Sequence, residues 1–329
     1  IMMHKGEYIM KIKSSSFCLR ICYMIASIVI LLNNSKLYAQ TEPMYSQYMY
    51  NMLGVNPAYA GNREALSFNF FQRNQWNGIK GAPKTTSISM DQSIKEGKIG
   101  WGVQVYDDRL GVEAATGFNG MLSTRIQVSE KGILSGGLSF GLMNYRINLN
   151  DVQNRNNPND PSFISINNPS SWTPSLGMGI YYNTDRFYAG VSTPSILKSR
   201  LASYEDFISS IDKLNAFHLF ANTGYVFDVN EDLKLKPSTM IKIVSGAPIE
   251  ADINLNVWLK DILGFGGSYR TGDAFVGMLE LQATPNLRLG YAYDFPFNPL
   301  KYFTRGSNEL MLRYEFGNNK TKIKSTRYF

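Results

Sequence analysis

The chain has 329 residues, 44% hydrophobic and 13% aromatic, with 33 Lys and Arg against 26 Asp and Glu for a formal net charge of +7. Two Cys and two His leave no room for a disulfide framework or a His/Cys metal cluster. Beyond residue 39 no run approaches the 20 or so apolar residues of a spanning helix, so a membrane location would have to rest on a closed barrel.

Residues 10–39, MKIKSSSFCLRICYMIASIVILLNNSKLYA, read as a secretory signal. Lys11, Lys13 and Arg20 form the basic region, 25–32 the apolar region, and Ala39 the small residue before the cut. Translation is expected to start at Met10. Both cysteines, Cys18 and Cys22, fall inside this segment, and no Cys stands at the cut to carry a lipid. The remaining chain holds 28 Lys and Arg against 25 Asp and Glu, net +3, which is no nucleic-acid footprint. The expected organisation is 1–39 signal, 40–64 an N-terminal plug or periplasmic segment, 65–316 a barrel, and 317–329 a basic tail.

Next comes MYSQYMYNMLGVNPAYAG, residues 44–61, without a single charge. Tyr45, Tyr48, Met49, Met52 and Leu53 fall at i, i+3, i+4, i+7 and i+8, one face of a helix of about two and a half turns. Asn56-Pro57 should stop it, because proline disfavours helical geometry in the residue before it.

From residue 65 onward period-two alternation dominates. Leu287, Leu289, Tyr291, Tyr293 and Phe295 alternate with Arg288, Gly290, Ala292 and Asp294. Fourteen such runs are expected, at 65–76, 84–92, 98–107, 113–129, 132–146, 172–183, 186–194, 214–228, 233–245, 249–260, 262–271, 274–284, 287–296 and 307–316. Connections after even-numbered runs are short, as at Thr184-Asp185 and Pro285-Asn286. Several after odd-numbered runs are long: 77–83, 147–171, 195–213 and 297–306. Short turns at one end and long loops at the other describe an outer-membrane barrel. The fold class is therefore all-β, a closed antiparallel transmembrane β-barrel of about fourteen strands with a short N-terminal helical plug. Trp76, Tyr106, Tyr145, Trp172, Tyr188 and Tyr302 lie near predicted strand ends, as an interfacial aromatic girdle would.

Eight strands fill their own barrel, whereas sixteen to eighteen leave a channel. Fourteen should leave space, and residues 44–61 are the nearest spare material. The segment is expected to plug the periplasmic mouth, with Tyr45, Tyr48, Met49, Met52, Asn56 and Pro57 as its candidate residues. The competing readings are a helix under the rim and a partner-binding helix. With the apolar faces toward lipid, Arg73, Lys98, Arg125, Lys242, Asp252, Glu280, Arg288, Arg313 and Glu315 would line the wall.

Chemistry for an enzyme is missing. His218 is the one histidine after residue 39, set in the strand pattern NAFHLFANTGY. The loop 150–162, NDVQNRNNPNDPS, lacks the glycine and closing glutamate of an EF-hand. Asp107 and Asp108 are strand neighbours whose side chains point apart. No catalytic, metal or cofactor residue is assigned.

The chain resembles the PorP/SprF family of outer-membrane proteins of the type IX secretion system of Bacteroidetes. The resemblance is carried in order by QYMYNMLGVNPAYAG (47–61), QRNQWNGIKGAPKT (72–85), Asp108–Gly111, PSLGMGIYYNTDRFYAGVSTPSIL (174–197), HLFANTGYVF (218–227), KPSTMIK (236–242), GGSYR (266–270), LRLGYAYD (287–294) and NELMLRYEF (308–316). Arg73, Gln75, Trp76, Arg125, Arg270, Asp294 and Arg313 are the candidate lumen-facing or family-motif residues. The basic tail after Phe316 departs from the usual ending. The resemblance implies a non-enzymatic outer-membrane component that supports export or surface attachment of adhesin-type proteins, with a role in gliding motility. It implies as partners a PorK/PorN-type periplasmic ring, a periplasmic linker protein, the C-terminal domain of a secreted adhesin, and membrane lipid. A transport barrel for a small or hydrophobic solute is the alternative.

Overall fold

The computed structural model describes residues 44–63, 65–95, 97–148, 170–194, 218–244 and 247–316. The expectations for the signal at 1–39, the loop at 150–162 and the tail at 317–329 lie outside them. Fifteen strands form one sheet: β1 Leu66–Asn74, β2 Lys84–Ile94, β3 Ile99–Leu110, β4 Glu113–Gln127, β5 Ile133–Ile147, β6 Ser170–Asn183, β7 Phe187–Thr193, β8 His218–Tyr225, β9 Phe227–Asp228, β10 Leu233–Val244, β11 Glu250–Leu259, β12 Leu263–Arg270, β13 Ala274–Gln282, β14 Leu287–Pro296 and β15 Ser307–Phe316. Each pairs antiparallel with its neighbours, and β1 pairs with β15 from Leu66↔Phe316 to Asn74↔Asn308, which closes the ring. Closure removes every sheet edge along that seam.

β8 and β9 both lie on β10, through Ser238↔Gly224 and Leu235↔Phe227. They are one strand of the barrel interrupted at Val226. Val226 stands opposite Lys236, one place from Pro237, which has no N–H to give to a ladder. The barrel thus has fourteen staves, as the alternation predicts, with one extra short strand.

The alternation sorts the two faces of the wall. Ile88, Val105, Phe118, Leu138, Leu255 and Leu279 point outward and are exposed, whereas Ser87, Ser89, Asp91, Asn254 and Asn256 point inward and are buried. An apolar exterior around a polar interior is the reverse of a soluble fold and is what a strand-built membrane protein requires. Outward aromatic pairs mark both ends. Tyr269, Phe275 and Phe297 pack together, and Tyr293 packs on Phe295, at the long-loop end; Tyr225–Phe227 and Tyr314–Phe316 do so at the short-turn end.

Two of the expected girdle residues are not part of it. Tyr106 and Tyr188 are buried, because they share the inward parity of their strands. Their rings occupy the space beside Gly117 and Gly224 on the neighbouring strands. Trp172 and Tyr302 are exposed, while Trp76 and Tyr145 are half-buried. Position near a strand end does not reveal which face a ring takes; parity does.

The core of the molecule lies inside the ring. Its members are wall residues such as Phe71, Met240 and Trp258 together with Tyr48, Met49, Met52 and Ala58 of the N-terminal segment.

Arginine substitutions test the outward face. Leu255→Arg and Leu279→Arg, at mid-strand, are expected to destabilise the barrel by about 2–4 kcal/mol, and Ile94→Arg, at a strand end, by about 0–1 kcal/mol. Denaturant unfolding in lipid, read by heat-modifiable gel mobility, measures both.

Candidate functional site

Residues 44–63 do not form the single helix that the spacing predicts. They make a 3-10 turn at Tyr48–Tyr50, one helical turn (α1, Met52–Val55) and a second 3-10 turn at Pro57–Tyr59. Asn51 breaks the first two apart with φ −116° and ψ 41°. Asn56 is extended before Pro57, and its side chain accepts from the Ala58 N–H at 2.9 Å while donating to the Ile180 carbonyl at 3.0 Å. The one-faced reading fails because almost every residue from Tyr45 to Ala60 is buried, whichever way it points. Wall surrounds the segment on all sides, so nothing selects a solvent face.

The segment spans the height of the barrel rather than capping one mouth, which corrects its expected placement. At the short-turn end Arg63 pairs with Glu315 at 2.9 Å, and the Gly61 N–H donates to Asp91 at 2.9 Å. The Ala60 carbonyl accepts from Ser123 and Arg125. Higher up, Ser192 donates to the Val55 carbonyl at 2.7 Å. The amides of Asn254 and Asn256 donate to the phenol oxygens of Tyr48 and Tyr50. Arg313 donates to the Tyr50 carbonyl at 2.6 Å and to Asn69 at 2.9 Å.

Near the long-loop end the segment meets a buried ion lattice. Arg73 pairs with Asp294 at 2.6 Å and Glu309 at 3.0 Å. Arg270 pairs with Asp252 at 2.9 Å and reaches Asp294 at 3.4 Å and Asp273 at 3.3 Å. Lys242 joins Glu250 at 2.5 Å and Asp252 at 2.8 Å. Ser46 sits in the middle. Its hydroxyl donates to Asp294 and accepts from Arg73 at 2.7 Å and Arg270 at 3.3 Å. The backbone N–H groups of Ser46 and Gln47 donate to the two oxygens of Glu309 at 2.7 and 2.8 Å. A carboxylate that holds two backbone donors and an arginine fixes the segment far more firmly than apolar packing alone.

The predicted site residues thus separate into groups. Tyr45, Tyr48, Met49, Met52, Asn56 and Pro57 are all inside the barrel. Arg73, Arg270 and Asp294 come together in the lattice, Arg313 lies on Tyr50, and Arg125 on Ala60. Gln75 and Trp76 lie past the end of β1, half-buried, where they shape the loop: the Gln75 N–H donates to the Pro83 carbonyl, and the Trp76 N–H to Ser307. Of the expected wall charges, Lys242, Asp252 and Glu280 are buried inward, but Lys98 is exposed in the turn before β3.

Sequence reasoning passed over Ser46, Glu309 and a set of wall glycines. Glu309 was legible, since it shares the inward parity of Met311 and Arg313. The glycines at 100, 137 and 179 make room for the segment. A Cβ at Gly100 would fall on the Ala60 carbonyl, at Gly137 on the Ala58 nitrogen, and at Gly179 on the Asn56 amide. The site offers no metal centre: among the described residues no three His, Cys, Asp or Glu are placed to hold one. His218 is buried against Phe220.

A family model described as type IX secretion system membrane protein PorP/SprF matches residues 37–314. No curated protein matches the sequence. Solved structures similar to it include a KdgM porin (10% identity, 76% of this chain and 99% of that one, TM-score 0.39). The Acinetobacter baumannii outer-membrane protein Omp33 is similar at 10% identity over 77% and 99% of the two chains, TM-score 0.45. The NanC porin is similar at 9% identity over 77% and 100%, TM-score 0.40.

Adjacent glycines give an internal control on the packing of the segment. Gly137→Val, which drives a side chain into Ala58, is expected to destabilise the fold by about 1–3 kcal/mol, whereas Gly136→Val, with nothing within 4 Å of its Cβ position, is not. Removing the anchor with Glu309→Ala, which leaves Arg73 buried with one partner fewer, is expected to cost about 3–5 kcal/mol. Thermal unfolding of the three variants in one detergent provides the comparison.

Proposed function

The chain belongs to the PorP/SprF family of type IX secretion system membrane proteins, and from that premise we propose that it is a non-enzymatic, occluded outer-membrane barrel supporting export or surface attachment of adhesin-type proteins. The observation that carries this reading is the lumen. A passive porin needs an open, water-filled interior, but here residues 44–63 run through the interior and are anchored at both ends. A barrel closed in this way serves better as a fixed station in the outer membrane than as a conduit for solutes. Its short-turn end faces the periplasm, where a PorK/PorN-type ring and a linker protein would meet it. Its long-loop end faces outside, where a secreted adhesin would be held.

Two experiments test this. Deletion of the gene is expected to abolish surface display of the adhesin while leaving general outer-membrane permeability unchanged; normal display would contradict the reading. For orientation, Tyr302→Cys, in the exposed loop after β14, is expected to react with an impermeant maleimide on intact cells. Asp185→Cys, in the turn between β6 and β7, is expected to react only after permeabilisation. The opposite pattern reverses the barrel and removes the partner assignment.

A further inference from the structure

The outward face of the wall is not the same all round the ring. At the long-loop end, β2 to β5 share one rung, Lys84↔Arg109↔Ala114↔Arg146. Two residues further along each strand comes the rung Thr86↔Asp107↔Thr116↔Asn144, and two further again Ile88↔Val105↔Phe118↔Leu142. The last four are exposed apolar residues of the lipid face, and even spacing puts the two rungs before them on that same face. From its tip, the outer side of β2, β3 and β5 thus presents a base, then a hydroxyl, carboxylate or amide, then hydrocarbon. The same end of β11 to β15 and β1 presents Ala251, Tyr269, Phe275, Phe295, Asn308 and Asn74, none of them ionic.

Three cations of this patch share one carboxylate. Asp107 accepts from Arg109 Nε at 2.6 Å and from Arg146 at 3.2 Å. The Thr116 hydroxyl donates to Asp107 at 2.6 Å and accepts from Arg146 at 3.0 Å. These bonds hold two guanidinium groups side by side, and the Arg109 side chain is still 65% exposed. The Lys84 ammonium has no partner among the described residues. Asp108 and Glu113, the other carboxylates nearby, have inward parity, and Asp108 accepts from Thr85 at 2.5 Å. Hydrocarbon cannot solvate the surplus positive charge, so these long side chains turn toward the interface, where lipid phosphates lie.

We propose that Lys84, Arg109 and Arg146 bind the phosphates of a bisphosphorylated glycolipid whose acyl chains lie along Ile88, Val105, Phe118 and Leu142. A guanidinium fork matches two phosphate oxygens at once. Lys84 and Arg146 stand three strand spacings apart, roughly 14 Å, too far for one phosphate to touch both but suited to two on one headgroup. The rung of Thr86, Thr116 and Asn144 meets the hydroxyl and amide groups that join such a headgroup to its chains. Trp172, opposite Asn144 and 66% exposed, offers a flat ring to a sugar at the interface, where tryptophan is favoured. That the lipid belongs to the outer leaflet rests on the orientation given above; the patch itself does not.

The test uses the purified full chain in detergent and native mass spectrometry. The probes are bisphosphorylated lipid A, its monophosphoryl and dephosphorylated forms, and phosphatidylglycerol. The bisphosphorylated form is expected to bind saturably, one per chain, the monophosphoryl form more weakly, and the other two not saturably. The triple variant Lys84→Gln/Arg109→Gln/Arg146→Gln is expected to weaken binding at least about ten-fold. Lys301→Gln, in the exposed loop after β14, is expected to leave it unchanged. If the triple variant loses its heat-modifiable mobility, Lys84→Gln, which has no partner to lose, replaces it, with an expected loss of about three-fold. Absent binding, or binding indifferent to these variants, overturns the proposal. Equal binding of the dephosphorylated form would show that acyl chains alone hold the lipid, and equal binding of phosphatidylglycerol that any anionic headgroup serves; either overturns it. Displacement of the lipid by millimolar inorganic phosphate would assign the patch to free phosphate and overturns it too. These readings use purified protein, so they stand or fall separately from maleimide labelling and from adhesin display: a reversed barrel would keep the site and change its leaflet.

Discussion

A ring of fourteen strands encloses more space than its own side chains can fill, and the rest of the molecule depends on how that space is occupied. Water would suffice for a porin. Here the N-terminal segment enters at Arg63, climbs past Ala60, Val55 and Tyr50, and ends among the lattice charges at Ser46. Once a chain occupies the lumen, every inward polar group must find it or another wall residue as a partner. Ser123, Ser192, Asn254, Asn256, Arg73, Arg125 and Arg313 of the inward face each bond to it. The glycines at 100, 137 and 179 keep the wall thin where the backbone of the segment passes.

The absence of charge in residues 44–61 follows from the same geometry. The wall carries its own ions in two groups. At the long-loop end three cations, Arg73, Arg270 and Lys242, face five carboxylates, Asp252, Asp273, Asp294, Glu250 and Glu309. At the short-turn end bases dominate: Lys236 lies over the ring of Tyr188, Arg288 over Trp258, and Arg313 over Tyr50. An added ion left without a partner would be very costly in this buried interior. A neutral segment with serine, tyrosine and backbone groups can join both ends without shifting either.

The strands were legible because membrane and lumen impose opposite demands on alternate residues, and Leu287 to Phe295 or Leu310 to Phe316 record that demand in order. The loop asymmetry was legible for the same reason: chain length survives without knowledge of contacts. The inner segment was less so. Its spacing matches a helix, but spacing reports a boundary between core and solvent, and Tyr45 to Ala60 have none. Tyr106 and Tyr188 were misplaced because nearness to a strand end was weighed above parity. Glu309 could have been found by parity on β15. Ser46 and the glycines at 100, 137 and 179 could not, since each acquires its role from a partner far away in sequence.

The central claim is that the segment closes a barrel that would otherwise conduct, and electrical recording in planar bilayers tests it most directly. The full chain is expected to be silent. A variant lacking residues 44–53, which removes Ser46 and Tyr48 while touching no strand, is expected to insert and to show large, steady openings. A full chain that conducts as freely as the variant would contradict the account.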